Sequence, residues 1–326
     1  MDTRRALLDA LGDGPVSGPA LAADLDVSRA AVWKAVEALR EEGFAVESTP
    51  EGYVAPAEPT YSAAGIEFGL DAPYAVEHHD SLPSTNDRAR ELATEGAEDV
   101  AVVADEQTGG RGRLDREFIA PRGGVWLSLL TRPSAPPARA PLFTLAAAVA
   151  TVDACREVGV RAHIKWPNDV LVGSGEDPGD DGDRSGRGGR KLAGILTEME
   201  GEADRVSWLV VGVGVNANID PGALPPGATS LRAETGADVD RRQIATTLFE
   251  RFASLAETAD RSDRILAAWR DRASTLGRRV RVETSTGPIV GTAVGVEPPG
   301  ALVIDTDDGT RRVHAGDCEH LRDADA

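Results

Sequence analysis

Lysine is nearly missing from this 326-residue chain: of 35 basic residues only three are lysine, at positions 34, 165 and 191. A biased genome would favour arginine codons, but it would not also raise the acids to 54 and the formal charge to −19. Adaptation to a salty cytoplasm accounts for both, because at about 1 M salt the Debye length is about 3 Å and repulsion among surface acids is screened. The charge is therefore read as a sign of habitat, a halophile's, and it selects no partner. Lysines kept against this trend are expected to be used. The two cysteines, Cys155 and Cys318, lie too far apart to match a metal-ligand spacing, which suits a reducing compartment. No apolar run approaches the length of a membrane span. The first residues, MDTRRALLDALGDG, carry acids inside a short apolar stretch and no small-residue cleavage site. No signal peptide and no membrane partner are expected, and the cytoplasm is the expected location.

The length admits two or three domains, and the patterning suggests an α+β chain with three. Residues 1–57 read as three short helices followed by a hairpin. In the third helix, after a capping Ser28, Val32, Ala35, Val36 and Leu39 recur at i, i+3, i+4 and i+7 and form the inward stripe. Three helices and a hairpin make a winged helix-turn-helix, whose DNA-facing residues would be Ser28, Arg29, Ala30, Trp33 and Lys34. Residues 1–55 hold five bases against ten acids, which weighs against DNA on electrostatics and leaves a protein-interaction module open.

Residues 58–273 alternate strands and helices around a mixed sheet, ending in a helix over roughly 241–272. Positions 173–190, GSGEDPGDDGDRSGRGGR, contain seven glycines in eighteen residues and read as a disordered acidic insertion. Residues 274–326 show short β runs at turn-punctuated spacing, the pattern of a small SH3-like β-barrel.

Four clusters lie in order within the central domain: STN at 84–86, EQTGGRGR at 106–113, KWPND at 165–169 and KLAGIL at 191–196. A glycine-rich strand end, GVGVN at 212–216, follows them. The ordered set resembles the biotin–protein ligases, and the winged helix and trailing barrel match the bifunctional form that is also the biotin operon repressor. The resemblance covers essentially the whole chain. It implies that biotin and ATP, with Mg²⁺, give biotinyl-5′-adenylate and pyrophosphate, and that biotin then passes to one lysine of a carboxyl carrier domain. It also implies operator DNA as a partner and a homodimer when the adenylate is bound.

The residue types suit that chemistry. A ureido head needs fixed donors and acceptors, which Ser84, Thr85 and Asn86 can supply while also capping a helix. By resemblance Gln107 faces the same ligand. Adenylation sets a carboxylate against a phosphate, and cations must neutralise both. Lys191 is expected at the carboxylate, and Arg111 and Arg113 at the phosphate. Gly110 and Gly112 would let their loop close over the adenylate and keep water out. Lys165 and Asp169 are the polar pair of KWPND, with Trp166 and Pro167 structural. Asp169 would orient or deprotonate the incoming amine, or help hold Mg²⁺, whose ligands the sequence does not identify. Trp126 is expected as an aromatic pocket wall or as a core tryptophan. Gly194 is expected to bind the ligand, while Gly212 and Asn216 would let it approach a strand end. His78 and His79 read as structural.

The chain departs from the family where Leu114, Asp115 and Glu117 follow the Gly-Arg-Gly-Arg core, although Arg116 and Phe118 are kept. A lipoate–protein ligase is the competing enzyme, and a ligand-sensing repressor without ligase activity is the competing non-enzyme.

Overall fold

The computed structural model describes residues 3–12, 14–113, 116–173, 188–257 and 262–321. Leu114, Asp115 and most of the acidic insertion lie outside them. Gly188 and Gly189 are buried and Arg190 opens a strand, so the described chain resumes inside the insertion as the sequence delimits it.

The N-terminal unit forms as its patterning predicts. Helices α1 (Thr3–Gly12), α2 (Gly18–Asp24) and α3 (Arg29–Glu41) bury Leu7, Leu8, Leu11, Leu21, Val32, Val36 and Leu39 against one another. Ser17 and Ser28 cap α2 and α3, their Oγ atoms accepting from Ala20 and Ala31 N–H groups. Strands β1 (Glu47–Thr49) and β2 (Gly52–Val54) make the hairpin. Gly52, at φ +138°, is required there: a Cβ would stand 2.3 Å from the Val16 carbonyl oxygen.

The proline-bearing stretch APAEPTYSA, residues 55–63, leads into a short helix, α4 (Ala63–Glu67), capped by Ser62. Ala64 belongs to the apolar cluster of the N-terminal unit. The buried Glu67 accepts from Val76 N–H at 2.7 Å and is paired with Arg4 of α1, while Arg5 donates to the Leu70 carbonyl. These bonds tie the winged unit to the central domain.

The central sheet has seven strands in the order β3 (Ala75–His79), β4 (Val100–Ala104), β5 (Val125–Thr131), β9 (Val206–Val215), β8 (Arg190–Gly201), β7 (Asp169–Val172) and β6 (Ala162–Lys165). Only β3 and β4 run parallel. Side chains alternate between its faces. Ala101, Val103, Leu127 and Leu129 meet α6 (Ala140–Glu157), whereas Val102, Leu130 and Val210 meet α5 (Thr85–Thr94). Residues 137–157 have the length and apolarity of a membrane span, but 72% of an 18-residue apolar stretch within them is buried inside the protein, as a core helix requires.

The single helix expected over 241–272 is two: α8 (Arg241–Ala256), capped by Glu257, and α9 (Ser262–Arg270). Residues 258–261 between them lie outside the described residues. The sequence reading also missed β7 and a one-turn helix, α7 (Leu231–Thr235), capped by Ser230.

Strands β10 (Arg279–Thr284), β11 (Gly287–Glu297), β12 (Ala301–Thr306), β13 (Gly309–Val313) and β14 (Asp317–His320) form an antiparallel sheet in the order β13-β12-β11-β10-β14. This is a coarser result than a barrel, since among the described residues β13 and β14 remain edges. Trp166 Nε1 donates to the Gly300 carbonyl at 3.0 Å and fastens this sheet to the central one.

Candidate active site

A row of cross-strand partners crosses one face of the central sheet: Lys165 opposite Asp169, Asp169 opposite Gly194, Gly194 opposite Gly214, and Gly214 opposite Trp126. The two glycines clear a trough between a charged end and an aromatic end. The Phe118 ring fills part of it, and a Cβ on Gly214 would come within 2.6 Å of that ring. Over the trough lies a cavity of about 540 Å³, within the range of small-ligand sites.

Lys191 reaches this face through a bulge. Partners on β7 and β8 shift by one between Val170 and Leu171, leaving Leu192 as the extra residue. Lys191 and Gly194, three apart, would otherwise face opposite ways. Instead a Cβ on Gly194 would lie 3.3 Å from the Lys191 side chain, and Lys191 Nζ stands 2.7 Å from Asp169 Oδ1. Lys165, only 6% exposed, lines the same end of the cavity and has no anionic partner among the described residues.

The opposite end is polar and uncharged, built where α5 begins above β5. Ser84 caps the helix by accepting from Asp87 N–H. Gln107 Oε1 accepts from the N–H and the hydroxyl of Thr85, at 2.8 and 3.1 Å. Its Nε2 has no partner among the described residues, and the side chain lines the cavity. The fully buried Ser128 donates to Asn86 Oδ1 at 2.6 Å, and Asn86 Nδ2 donates to Glu198 Oε2 at 2.6 Å. The sequence reading missed both partners, since nothing in a strand pattern marks a serine or glutamate that will meet a helix start.

The Gly-Arg-Gly-Arg loop spans the two ends. Arg111 is paired with Asp87, and Arg113 donates to Asn168 Oδ1 and to the Gly316 carbonyl, each at 3.0 Å. Burial pushes the Arg113 guanidinium below its ordinary value. Arg116 meets Asp317 at 2.7 Å, so residues of β14 also border the cavity.

Most expected site residues converge on this cavity: Ser84, Thr85, Asn86, Gln107, Arg111, Gly112, Arg113, Lys165, Asp169, Lys191, Gly194, Gly212 and Asn216 all line it. Two do not. Trp126 is fully buried behind Phe118, ring edge to face at 5.7 Å, and donates to the Pro121 carbonyl; Phe118 is the aromatic wall. Gly110 sits under the loop, where a Cβ would meet the Phe118 carbonyl oxygen at 2.4 Å. Gly212 lines the cavity and also makes room for protein, since a Cβ there would strike Asn86 Oδ1 at 2.2 Å. His78 and His79 lie away from the cavity; the His78 ring sits edge-on to Tyr61, and His79 bonds Glu77 at 2.6 Å. Among the described residues no group of three His, Cys, Asp or Glu side chains is placed to hold a metal ion.

On α3, Ser28, Arg29, Ala30, Trp33 and Lys34 are all exposed, Trp33 by 59%. Arg4, Arg5 and Arg40 are each engaged by acids. Arg29 and Lys34 have no such partner among the described residues.

Three family models match the chain: the biotin/lipoate A/B protein ligase family over residues 79–216, the biotin protein ligase C terminal domain over 275–321, and an HTH domain over 3–54. The bifunctional ligase/repressor BirA of Bacillus subtilis is 36% identical, with 96% of each chain covered. The biotin–[acetyl-CoA-carboxylase] ligase of Mycobacterium tuberculosis is 35% identical over 73% of this chain and 86% of that one. The structure of Aquifex aeolicus biotin protein ligase in complex with biotin and ATP shares the fold, with a TM-score of 0.62 and 24% identity over 76% of this chain and 99% of that one.

Proposed function

This chain belongs to the biotin/lipoate A/B protein ligase family, and from that membership we propose that it is an ATP-dependent biotin–protein ligase that also represses transcription in response to biotin. The observation that carries the substrate is the polarity of the cavity. Its Thr85–Asn86–Gln107 end is polar and uncharged, and its Lys165–Lys191 end is cationic. Biotin has that shape, a ureido head and a carboxylate tail. Lipoate's dithiolane head has no use for the Gln107 amide.

In the first step a biotin carboxylate oxygen forms a bond to the α-phosphorus of ATP, and the bond to the bridging oxygen breaks to release pyrophosphate. Lys191 meets the carboxylate and Arg111 and Arg113 the phosphate, offsetting the repulsion of two anions as they approach. Asp169 keeps Lys191 aimed, and Lys165 adds positive charge at the same end. In the second step the amine of the carrier's lysine attacks the acyl carbon and loses a proton, and AMP departs. The loop from Gly110 to Arg113 excludes water between the steps, when a mixed anhydride is at risk. Mg²⁺ would come with the nucleotide's phosphates and screen their charge, because among the described residues no three His, Cys, Asp or Glu side chains gather to hold it.

The reading extends to a biotin carboxyl carrier domain as acceptor, to operator DNA on the exposed face of α3, and to a homodimer when the adenylate is bound. One winged helix reads one half-site, which supports the dimer. It includes a halophile's cytoplasm without membrane association, supported by the excess of acids. It also includes domains at 1–57, 58–273 and 274–326, the last closing as an SH3-like barrel. The test is transfer of labelled biotin to a carrier domain with ATP and Mg²⁺ in molar KCl, with lipoate as the competing acid. Preference for lipoate, or no transfer, overturns the assignment.

A further inference from the structure

Three charged side chains that the reaction above leaves unused lie end to end beside the cavity. Glu198 accepts from Asn86 Nδ2 through one oxygen, and its other oxygen stands 3.6 Å from Arg90 Nη1. Arg90 Nη2 donates to Asp87 Oδ1, and the same oxygen takes Arg111 Nη2. The chain runs Asn86–Glu198–Arg90–Asp87–Arg111, from the polar end of the cavity to the Gly-Arg-Gly-Arg loop over it. Helix geometry assembles it: Asn86 and Arg90 are four apart on α5, and Asp87 and Arg90 three apart, so they share a face.

Each link has one sense. The Glu198 carboxylate only accepts, so Nδ2 is the Asn86 atom turned to it and Oδ1 is left facing the Ser128 hydroxyl. Asp87 lies between two guanidiniums, and with Glu198 on Arg90 the four charges balance, so what Arg111 offers an anion is its remaining donors. An arginine has five N–H donors, and the one held by Asp87 leaves others for a phosphate. The side chains of Arg111 and Asp87 are 42% and 36% exposed, too open for their pair to add much to stability. What the pair supplies is direction.

We propose that Asp87, Arg90 and Glu198 form a positioning relay that holds Arg111 ready for the nucleotide's phosphate and in register with Asn86 at the head of the acid substrate. The inference rests on the ligase reading of the cavity. The relay lowers the ordering cost of nucleotide binding, since Arg111 no longer has to be recruited from solution.

The experiment is biotin-dependent ATP–pyrophosphate exchange by the full chain, with KM measured for each substrate. Absence of exchange in the wild type would defeat the ligase reading, and with it the basis of this one. Given exchange, Asp87→Asn should raise the KM for ATP about tenfold and leave that for biotin within about twofold. Asp87→Glu should recover most of the loss, and thermal stability should barely change, as a merely structural role would not allow. Glu198→Gln should raise the KM for biotin instead. Adding Asp87→Asn to Arg111→Gln should cost nothing further, because the two act as a unit. If Asp87→Asn does not fold, Arg90→Gln removes the same link from the other side and is read in the same way. Additive losses in the double variant, or an unchanged KM for ATP, would overturn the relay.

Discussion

Lys191 Nζ lies 2.7 Å from Asp169 Oδ1 because β8 carries one residue more than β7 across their pairing, and the bulged Leu192 turns the lysine onto the face of Gly194. Lys191→Gln should therefore lower kcat for adenylate formation by about a hundredfold or more while the fold persists. Asp169→Asn leaves the lysine charged but unaimed, and its loss should be smaller, about tenfold. Pyrophosphate exchange at the wild-type rate in Lys191→Gln would remove the lysine from the chemistry.

Arg113→Gly deletes the bonds to Asn168 and to the Gly316 carbonyl, which join the loop to β7's approach and to the C-terminal sheet. The variant should still form adenylate but release it to solvent and to bystander amines. Its adenylate should dissociate at least about tenfold faster than the wild type's. Equal dissociation rates would mean that the loop is no lid.

At Gly212 the space a side chain would need is held by the Asn86 amide. Gly212→Ala should push Asn86 off Ser128 and Glu198 at a cost of about 1–3 kcal/mol of stability. The KM for biotin should rise about tenfold with little change in the KM for ATP. Chemical denaturation and exchange kinetics on one preparation test both halves; an unaltered KM for biotin would mean that Asn86 does not order the head subsite.

Burial holds the His163 imidazole down to about 4 against an ordinary 6.5, so it is neutral in the folded protein. The unfolded chain takes up its proton below pH 6.5 and the folded one only near 4. Stability from this group is thus complete above 6.5 and falls as the pH drops toward 4, by about 3 kcal/mol in all. His163→Gln should flatten that part of the stability–pH curve. An identical slope between pH 6.5 and 4 in variant and wild type would exclude the histidine as its source.

Arg29 and Lys34 are the cations on the exposed face of α3, set in a unit with twice as many acids as bases. Counterion release therefore contributes little, and acid–phosphate repulsion opposes binding until salt screens it. Specific binding upstream of biotin genes should appear in high salt, tighten with biotinyl-adenylate, and stay level or strengthen from about 0.2 to 2 M KCl. Lys34→Ala should weaken it. A steep fall with salt would refute the electrostatic argument, and no specific binding at any salt would leave residues 1–57 as an interaction module.

Local rules made much of this protein legible in its sequence. Period and capping delimited α3 from Ser28, and apolar runs are what become β4, β5, β8 and β9. Those signals are local because caps and amphipathic stripes involve residues a turn apart. The cationic members of the site stood out for a similar reason, as lysines and glycine-flanked arginines in an acidic chain that has otherwise shed lysine. What the sequence could not reach depends on register and on partners far along the chain. Trp126 sits behind Phe118 rather than on the cavity wall, because Gly214 and Gly194 of other strands clear the trough. Ser128 and Glu198 acquire their roles only when β5 and β8 come under the first turn of α5. The bulge at Leu192 has no sequence mark, since either register would bury apolar side chains. Only the folded sheet decided which face Lys191 would take.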